Sequence, residues 1–241
     1  MLIDIHAHLD LKYFENDLDD VIERARKNNV KLIINNGLNP ESNRKTLELS
    51  KKYEIIKPAL GIYPDCVSKI DVDSELKFIK DNAFAIGEVG LDGTEENMEL
   101  QKQVFTKIIS LANEINKPLI VHSRKAEKEV IELLEKNNAK KVILHCFHGD
   151  FGLIKKAVKL GYSFSIAPII LRSEHMQKMA REVPLSHLFT ETDAPFLGYD
   201  RNARNEPGNV IFTIKKIAEI KKLDPIEVEN NIYMNYQKMF L

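Results

Sequence analysis

The sequence predicts an α/β protein built as a (β/α)8 TIM barrel, and three observations lead to this prediction. Short apolar segments alternate with longer amphipathic ones from end to end of the 241 residues. Eight of the short segments are rich in Ile, Val, Leu or Phe, as strands buried on both faces should be. The length suits one barrel of about 250 residues. We therefore expect a single domain spanning residues 1–241.

The predicted elements alternate in order along the chain. The strands are Leu2–Ile5, Lys31–Asn35, Ile55–Leu60, Phe84–Gly87, Pro118–Val121, Val142–Leu144, Tyr162–Ile166 and Leu188–Thr190. Leu18–Asn28 carries apolar residues at helical spacing, and Pro40–Tyr53 opens with an Asn-Pro pair that is typical of a helix start. Apolar residues at helical spacing also predict helices at Glu96–Asn116, Ala126–Asn137, Asp150–Leu160, Glu174–Arg181 and Val210–Lys221. An extra C-terminal helix, Pro225–Phe240, has no strand after it, and we expect it to pack outside the barrel.

Strand–helix alternation of this kind has two common solutions, a closed barrel and an open doubly wound sheet. The open sheets that bind nucleotides carry a glycine-rich phosphate loop after a strand. Neither G-x-G-x-x-G after the first strand nor G-x-x-x-x-G-K-[ST] anywhere occurs in this sequence. The absence of these loops favours the barrel.

Composition excludes several classes of protein. The hydrophobic fraction of 44% is too high for a disordered chain, and the net charge of -1 does not indicate a polyanionic partner for the whole surface. Any contact with a nucleic acid would therefore have to come from a local basic patch. The two cysteines, Cys66 and Cys146, form no CxxC pattern, and the chain starts with no signal-like segment. We expect a cytoplasmic protein with no membrane contact and no obligatory protein partner.

Polar residues at the predicted strand ends are the candidates for a functional site, because barrel active sites lie where strands end. His6 and His8 are two apart, so both can face the barrel mouth, with Asp4 one layer deeper. Four of the seven histidines lie at strand ends. With two acidic residues they make the predicted ligand set His6, His8, Glu88, His122, His145 and Asp193.

Imidazoles and carboxylates that converge in this way are typical of a metal centre. The six ligands exceed what one catalytic metal with an open position needs, whereas two metals bridged by one carboxylate use them all. We therefore expect two divalent cations per chain, Mg, Mn or Zn, with Glu88 as the bridge. This chemistry predicts hydrolysis, with Glu88 and Asp193 as catalytic residues and Asp193 orienting or deprotonating the attacking water.

Further polar residues are assigned supporting or substrate roles. Glu191 is expected to support the ligands, as Asp4 is, since strand alternation points it the same way as Asp193. His175 and His187 are interpreted as structural, and His148 as a residue of the rim. The candidates to hold phosphate oxygens are Arg124, Arg172, Arg201 and Arg204.

Seven strings that span nearly the whole chain resemble the TatD family of metal-dependent hydrolases, in the family's order. They are DIHAHLD (Asp4–Asp10), GIYP (Gly61–Pro64), GEVGLD (Gly87–Asp92), PLIVHSR (Pro118–Arg124), HCFHG (His145–Gly149), ETDAPFL (Glu191–Leu197) and RNEPGNV (Arg204–Val210). The resemblance implies a TIM barrel of the amidohydrolase superfamily and metal-dependent deoxyribonuclease activity, often described as trimming from the 3′ end. It places the family's metal positions on the same six residues and its Arg-Asn-x-Pro string on Arg204 and Asn205, which we expect to bind substrate.

Two residues depart from the family's pattern. Tyr63 stands where the family usually has histidine, and His148 stands where it usually has Ser or Thr. All six metal positions are intact, so the departures concern the substrate side of the site. Tyr63 and His148 are therefore expected to influence substrate preference.

Three functions are compatible with these sequence features. The first is a phosphodiesterase that acts on DNA, favoured by the two-metal set and the arginines. The second is a hydrolase of a small amide, lactone or aminoacyl ester; related amidohydrolases often bridge their metals with a modified lysine on the fourth strand, where this chain has Glu88. The third is a binding protein with a relic metal site, and the complete ligand set argues against it.

Overall fold

A computed structural model describes residues 1–241 and arranges eight parallel strands in one sheet, in sequence order. The strands are β1 (Leu2–Ala7), β2 (Val30–Asn36), β3 (Ile56–Leu60), β4 (Ala85–Asp92), β5 (Leu119–Arg124), β6 (Val142–Leu144), β7 (Ser163–Ile166) and β8 (Leu188–Thr190). The sheet nearly closes between its first and last strands, where Thr190 Oγ1 donates to Ile3 O (2.7 Å) and Asp193 N to His6 O (2.8 Å). The predicted barrel is confirmed.

Helices alternate with the strands around this sheet. They are α1 (Leu18–Lys27), α2 (Pro40–Lys52), α3 (Val72–Asn82), α4 (Met98–Ile115), α5 (Glu127–Lys136), α6 (Phe151–Lys159), α7 (Glu174–Glu182), α8 (Val210–Lys221) and α9 (Pro225–Phe240). No helix combines the length and the apolar character needed to span a lipid bilayer. Both cysteines, Cys66 and Cys146, are free thiols.

The helix α3 escapes prediction because its inward face is not apolar throughout. Glu75 is buried on that face, where an apolar side chain would complete the helical pattern. Its carboxylate accepts hydrogen bonds from Asn43 Nδ2 (2.7 Å) and Arg44 Nη1 (2.5 Å) of α2. A buried carboxylate is tolerated here because both partners satisfy it.

Side chains of the strands divide between two hydrophobic layers. Alternate residues face the barrel interior, which is filled by Ile3, Ile5, Leu32, Ile34, Ala59, Ala85, Ile120, Ile143 and Phe189. The other strand residues join a larger cluster of 56 buried residues beneath the helices. The strands are therefore buried on both faces, which is why they appear in the sequence as continuous apolar runs.

The last helix, α9, covers the amino end of the barrel interior. Tyr236 belongs to the interior cluster, and the ring of Phe240 lies 5.7 Å from that of Phe84 and 6.2 Å from that of Phe189, between ring centroids. The helix thus lies outside the strands, as the sequence predicts, and it packs across one end of the barrel. Its aromatic residues close the end of the barrel opposite the carboxyl ends of the strands.

Two strands lose their regular alternation near their carboxyl ends. The register of β1 shifts between Asp4 and Ala7, and that of β4 shifts between Ile86 and Val89. After the shift, β4 passes so close to β5 that a Cβ at Gly90, where φ is 142°, would lie 2.1 Å from the carbonyl oxygen of His122. These irregularities, which resemble β-bulges, redirect side chains at the barrel mouth.

Candidate metal centre

All six predicted ligands lie at the carboxyl end of the barrel, and all six are buried. They are His6, His8, Glu88, His122, His145 and Asp193. The register shift in β1 allows His6 to face the interior although Ile5, one residue earlier, faces it too. The register shift in β4 likewise allows Glu88 to face the barrel interior. The fold thus brings together residues that are 187 positions apart in the chain, from His6 to Asp193.

Four ligand atoms form a compact group around the end of β1. His6 Nε2 and His8 Nε2 are 3.0 Å apart. Glu88 Oε2 lies 3.3 and 3.2 Å from these two nitrogens, and Asp193 Oδ1 lies 3.5 and 3.4 Å from them. Zinc-like cations bind such atoms at roughly 2.0–2.2 Å, which places tetrahedral ligands about 3.4 Å from one another. The group has the size and the chemistry of a cation site.

The second oxygen of Glu88 faces a different pair of histidines. Glu88 Oε1 is 2.8 Å from His122 Nδ1 and 4.0 Å from His145 Nε2. His6, Glu88 and His145 also offer three ligand atoms within 4.8 Å of one another. One carboxylate therefore faces two sets of nitrogen ligands, which is the arrangement that a bridge between two cations requires.

The charges of the buried cluster are strongly perturbed. Burial lowers the pKa of His6 to about 4. Burial acts in the same direction on His145, but Glu191 outweighs it and raises the pKa of that histidine to about 9. Burial opposes ionisation of Glu88, yet His6, His122 and His8 hold its pKa well below the usual range. Cations bind only deprotonated imidazoles, so cation binding here is expected to release protons.

Hydrogen bonds fix which imidazole nitrogens are free to bind a cation. His8 Nδ1 donates to the carbonyl oxygen of Asn36 (2.8 Å), and His145 Nδ1 donates to Glu191 Oε2 (2.7 Å). The Glu191 carboxylate also accepts hydrogen bonds from Ser165 Oγ and from the backbone of Cys146. The Nε2 atoms of both histidines therefore carry lone pairs that face the cluster. Glu191 thus orients His145, which is one of the predicted ligands.

Asp4 departs from its expected position one layer below the histidines. That part of the interior is filled by Ile3 and Ile5. The Asp4 carboxylate instead accepts hydrogen bonds from Thr192 N (2.9 Å), Thr192 Oγ1 (2.5 Å) and His6 N (3.2 Å). Burial raises the pKa of Asp4 to about 8. Its role is to join β1 to the segment after β8.

Asp92 is a site residue that the sequence analysis does not identify. Its fully buried carboxylate accepts hydrogen bonds from His122 Nε2 and from Tyr63 Oη, both at 3.0 Å. These bonds leave Nδ1 of His122 to face Glu88. The signal for Asp92 was present in the GEVGLD string, since Glu88, Gly90 and Asp92 alternate. It was hidden because the predicted strand ended at Gly87, whereas β4 continues to Asp92.

Replacement of Asp92 by Asn is expected to lower the affinity for Zn or Mn by about 10–100-fold, because partners that orient metal-binding histidines have effects of this size. Isothermal titration of the purified protein with each cation measures the change. The exposed Asp81 of α3 offers a matched control, and Asp81→Asn is expected to bind as the wild type does. Wild-type affinity in Asp92→Asn would refute this role.

A cavity of about 330 Å³ adjoins the cluster on its open side. It is lined by His122, Ser123, Arg124, Lys125, Glu127, His145, Cys146, His148, Asp193 and Leu197. The side chain of Arg124 is 60% exposed, and its guanidinium lies 3.7 Å from Asp92, so most of its hydrogen-bonding capacity is free. His148 donates from Nδ1 to the carbonyl oxygen of Cys146 (2.7 Å), which leaves its Nε2 without a protein partner.

The structure places Arg204 and Asn205 outside this cavity. Arg204 donates to both carboxylate oxygens of Asp17, at 2.8 and 2.5 Å, and to the carbonyl oxygen of Tyr13. Asn205 is buried and donates to the carbonyl oxygens of Thr192 and Phe196. Both side chains are thus occupied by contacts within the protein. The other two candidate arginines also lie away from the cavity lining, Arg172 donating to Gly198 O (3.2 Å) and Arg201 exposed in a loop after β8.

Comparisons with known proteins identify the family and the fold. A family model described as TatD related DNase matches residues 3–241. The chain is 38% identical to human deoxyribonuclease TATDN3 over 258 residues, which cover 99% of this chain and 94% of that protein. It is 37% identical over 243 residues to an uncharacterized metal-dependent hydrolase of Methanocaldococcus jannaschii, covering 99% and 96%. Among solved structures, YjjV, a TatD homolog from Escherichia coli, has the same fold, with a TM-score of 0.92, 24% identity and coverage of 99% and 97%.

Proposed function

Because this chain belongs to the TatD family of metal-dependent hydrolases, we propose that it is a deoxyribonuclease that hydrolyses phosphodiester bonds in DNA. The observation that carries this proposal is the position of Glu88, whose two oxygens face two separate sets of histidines. We propose that two divalent cations per chain, Mg, Mn or Zn, are held there. Their ligands in this proposal are His6, His8, Glu88, His122, His145 and Asp193.

Divalent cations at such a site provide hydroxide from water at neutral pH and neutralise charge on phosphoryl oxygens. Asp193 both contacts the ligand nitrogens and lines the cavity, so it is placed to orient the attacking water and to accept its proton. Glu88 contacts the imidazoles of His6, His8 and His122 directly and so fixes their positions relative to one another. These two carboxylates are the catalytic residues of the proposal.

The substrate phosphate is proposed to bind at Arg124, since its exposed guanidinium is planar and can hold two phosphate oxygens. His148 lies on the same cavity wall with a free Nε2. Tyr63 lies behind His122, with its hydroxyl oxygen 3.2 Å from His122 Nε2. We propose that His148 touches substrate and that Tyr63 influences substrate preference through His122. Arg204 and Asn205 are proposed to affect substrate through the loops that they hold.

The test is cleavage of a 5′-labelled oligonucleotide by purified protein in EDTA, Mg, Mn or Zn. We expect cleavage with at least one cation, none in EDTA, and none by His6→Ala. A ladder shortened one nucleotide at a time would identify trimming from the 3′ end. Absence of cleavage with every cation, by protein that has bound metal, would contradict the deoxyribonuclease proposal.

The second candidate, a hydrolase of a small amide, lactone or aminoacyl ester, is favoured by one observation. The cavity of about 330 Å³ lies at the small end of the range for small-molecule sites. Related amidohydrolases often bridge their metals with a modified lysine. In this chain Lys117 precedes β5 and so lies at the end of the barrel away from the cluster, which argues against the second candidate. A panel of such substrates, assayed under the same four conditions, separates the two candidates. Turnover of one of them without cleavage of DNA would favour the second.

A further inference from the structure

Exposed aromatic side chains are concentrated at the mouth of the barrel. Tyr13, Phe196 and Tyr199 are the three exposed aromatic residues, with exposed fractions of 60%, 46% and 42%. Tyr13 follows β1 and the other two follow β8. The predicted ligands His8 and Asp193 follow the same two strands, so the exposed rings lie on the loops that adjoin the candidate metal centre. Every other Tyr and Phe residue is buried or half-buried.

Tyr13 and Phe196, which we call the mouth pair, contact each other across the two loops. Their ring centroids are 6.0 Å apart and their planes are inclined by 77°, an edge-to-face contact. This contact leaves at least one ring face uncovered. The Phe196 N–H donates to the carbonyl oxygen of Asp193 (2.7 Å), and the next residue, Leu197, lines the cavity beside the cluster.

The mouth pair is held in place by Arg204 and Asn205. Arg204 donates to the carbonyl oxygen of Tyr13, and its guanidinium lies 4.6 Å from the ring centroid of the neighbouring Phe14. Asn205 donates to the carbonyl oxygen of Phe196 at 2.8 Å. Single exposed hydrophobic residues are common and need no explanation. Here the backbones of two exposed aromatic residues accept hydrogen bonds from two adjacent residues of one motif, so the fold defines the position of both rings.

We propose that the mouth pair stacks an unpaired nucleobase of the DNA strand that enters the cavity. The proposal rests on the proposed deoxyribonuclease function. Aromatic rings bind the faces of unpaired bases without regard to sequence, and a base within a duplex has no free face. Tyr199 has a different role, since its ring already packs on Phe212, with centroids 4.6 Å apart.

The proposal also changes the role of the Arg-Asn-x-Pro string. Arg204 and Asn205 are positioning residues, which act on the substrate through Tyr13 and Phe196 rather than by contacting phosphate. The residue proposed to bind the phosphate is Arg124, on the cavity wall. Base and phosphate thus bind to different loops at the same mouth.

Binding can be tested without catalysis because the chain contains no tryptophan. In Phe196→Trp, the single indole reports on stacking at the mouth pair. We expect its fluorescence to be quenched when a single-stranded oligonucleotide is added in EDTA, and not by an oligonucleotide of abasic residues or by a blunt duplex. Adding Tyr13→Ala to this variant is expected to weaken the binding by about ten-fold.

Kinetics on DNA provide the second test. The wild type is expected to prefer an oligonucleotide with normal terminal bases to one with abasic termini by about ten-fold in kcat/KM. Tyr13→Ala and Phe196→Ala are expected to lose this preference mainly through KM, whereas Tyr13→Phe keeps it. Tyr199→Ala, an exposed ring outside the mouth pair, is the matched control and is expected to behave as the wild type.

The outcomes separate this proposal from the proposed function. Quenching of Phe196→Trp by single-stranded DNA, without cleavage by the wild type under any cation, supports the mouth pair and contradicts the deoxyribonuclease. Cleavage of DNA with an unchanged preference in folded Tyr13→Ala and Phe196→Ala overturns the mouth pair alone. Equal quenching by normal and abasic oligonucleotides overturns it as well.

Discussion

Replacement of Asp193 by Asn is expected to lower kcat for DNA hydrolysis by about 10³-fold or more, with the barrel still folded. General-base catalysis contributes roughly 10²–10⁴-fold, and Asp193 also lies 3.5 and 3.4 Å from His6 Nε2 and His8 Nε2. Asn keeps the shape of the side chain but neither accepts a proton nor carries the charge that a cation requires. Single-turnover cleavage of a labelled oligonucleotide, with the cation at saturation, measures this effect on the chemical step.

The exposed Asp200 lies in the same loop and provides the control. Asp200→Asn removes one carboxylate charge near the mouth without touching the cluster, and we expect its kcat to stay within about two-fold of the wild type. If Asp193→Asn retains more than a tenth of the wild-type kcat at saturating cation, Asp193 is not the proton acceptor.

Replacement of Glu88 by Gln is expected to remove at least one of the two cations and, with it, detectable DNA cleavage. The Glu88 carboxylate contacts His6, His8 and His122, and it is the one carboxylate that faces both candidate cation positions. Gln has nearly the same volume, so the barrel should remain intact, but its amide cannot bridge cations as a charged carboxylate does. Loss of a direct ligand should cost more than the roughly 10–100-fold that follows loss of a supporting partner.

Metal content after equilibrium dialysis, together with isothermal titration, measures the effect of Glu88→Gln. The wild type is expected to bind two cations per chain and the variant at most one, weakly. Glu95→Gln changes an exposed residue in the loop after β4 and should leave the stoichiometry unchanged. Two tightly bound cations in Glu88→Gln would exclude a bridging role for this residue.

The barrel and the position of the site could be predicted from the sequence because both depend on local patterns. Strands of a parallel barrel are buried on both faces, so they stand out as apolar runs even when they are only three residues long, as β6 is. Ligands such as His122 and His145 directly follow these runs. The geometry of the barrel then gathers them at one end, whatever their separation in sequence.

The elements that escaped prediction depend on contacts between distant segments. The helix α3 places Glu75 on its inner face, which is understandable only once Asn43 and Arg44 are seen to satisfy it. The glycines of the GEVGLD string interrupt the apolar run of β4, yet Gly90 is required by the close approach of β5. Asp92 was missed for the same reason.

The role of the Arg-Asn-x-Pro string could not be predicted from the motif alone, because it depends on which residues the motif contacts in the folded protein. The string marks Arg204 and Asn205 as important, and a charged residue near a phosphodiester site suggests a phosphate contact. The partner of Arg204 is Asp17, which is 187 residues away in sequence. Only the folded structure shows that both residues are occupied in holding the loops that carry Tyr13 and Phe196.

The most direct test of the central claim is a crystal structure of the protein grown with Mn or Zn, with anomalous data collected at the absorption edge of the metal. Two anomalous peaks are predicted at the carboxyl end of the barrel. One should lie within bonding distance of His6, His8 and Asp193, the other should lie near His122 and His145, and Glu88 should contact both. Fully ordered side chains without any peak in this cluster, or peaks only elsewhere on the molecule, would contradict the account.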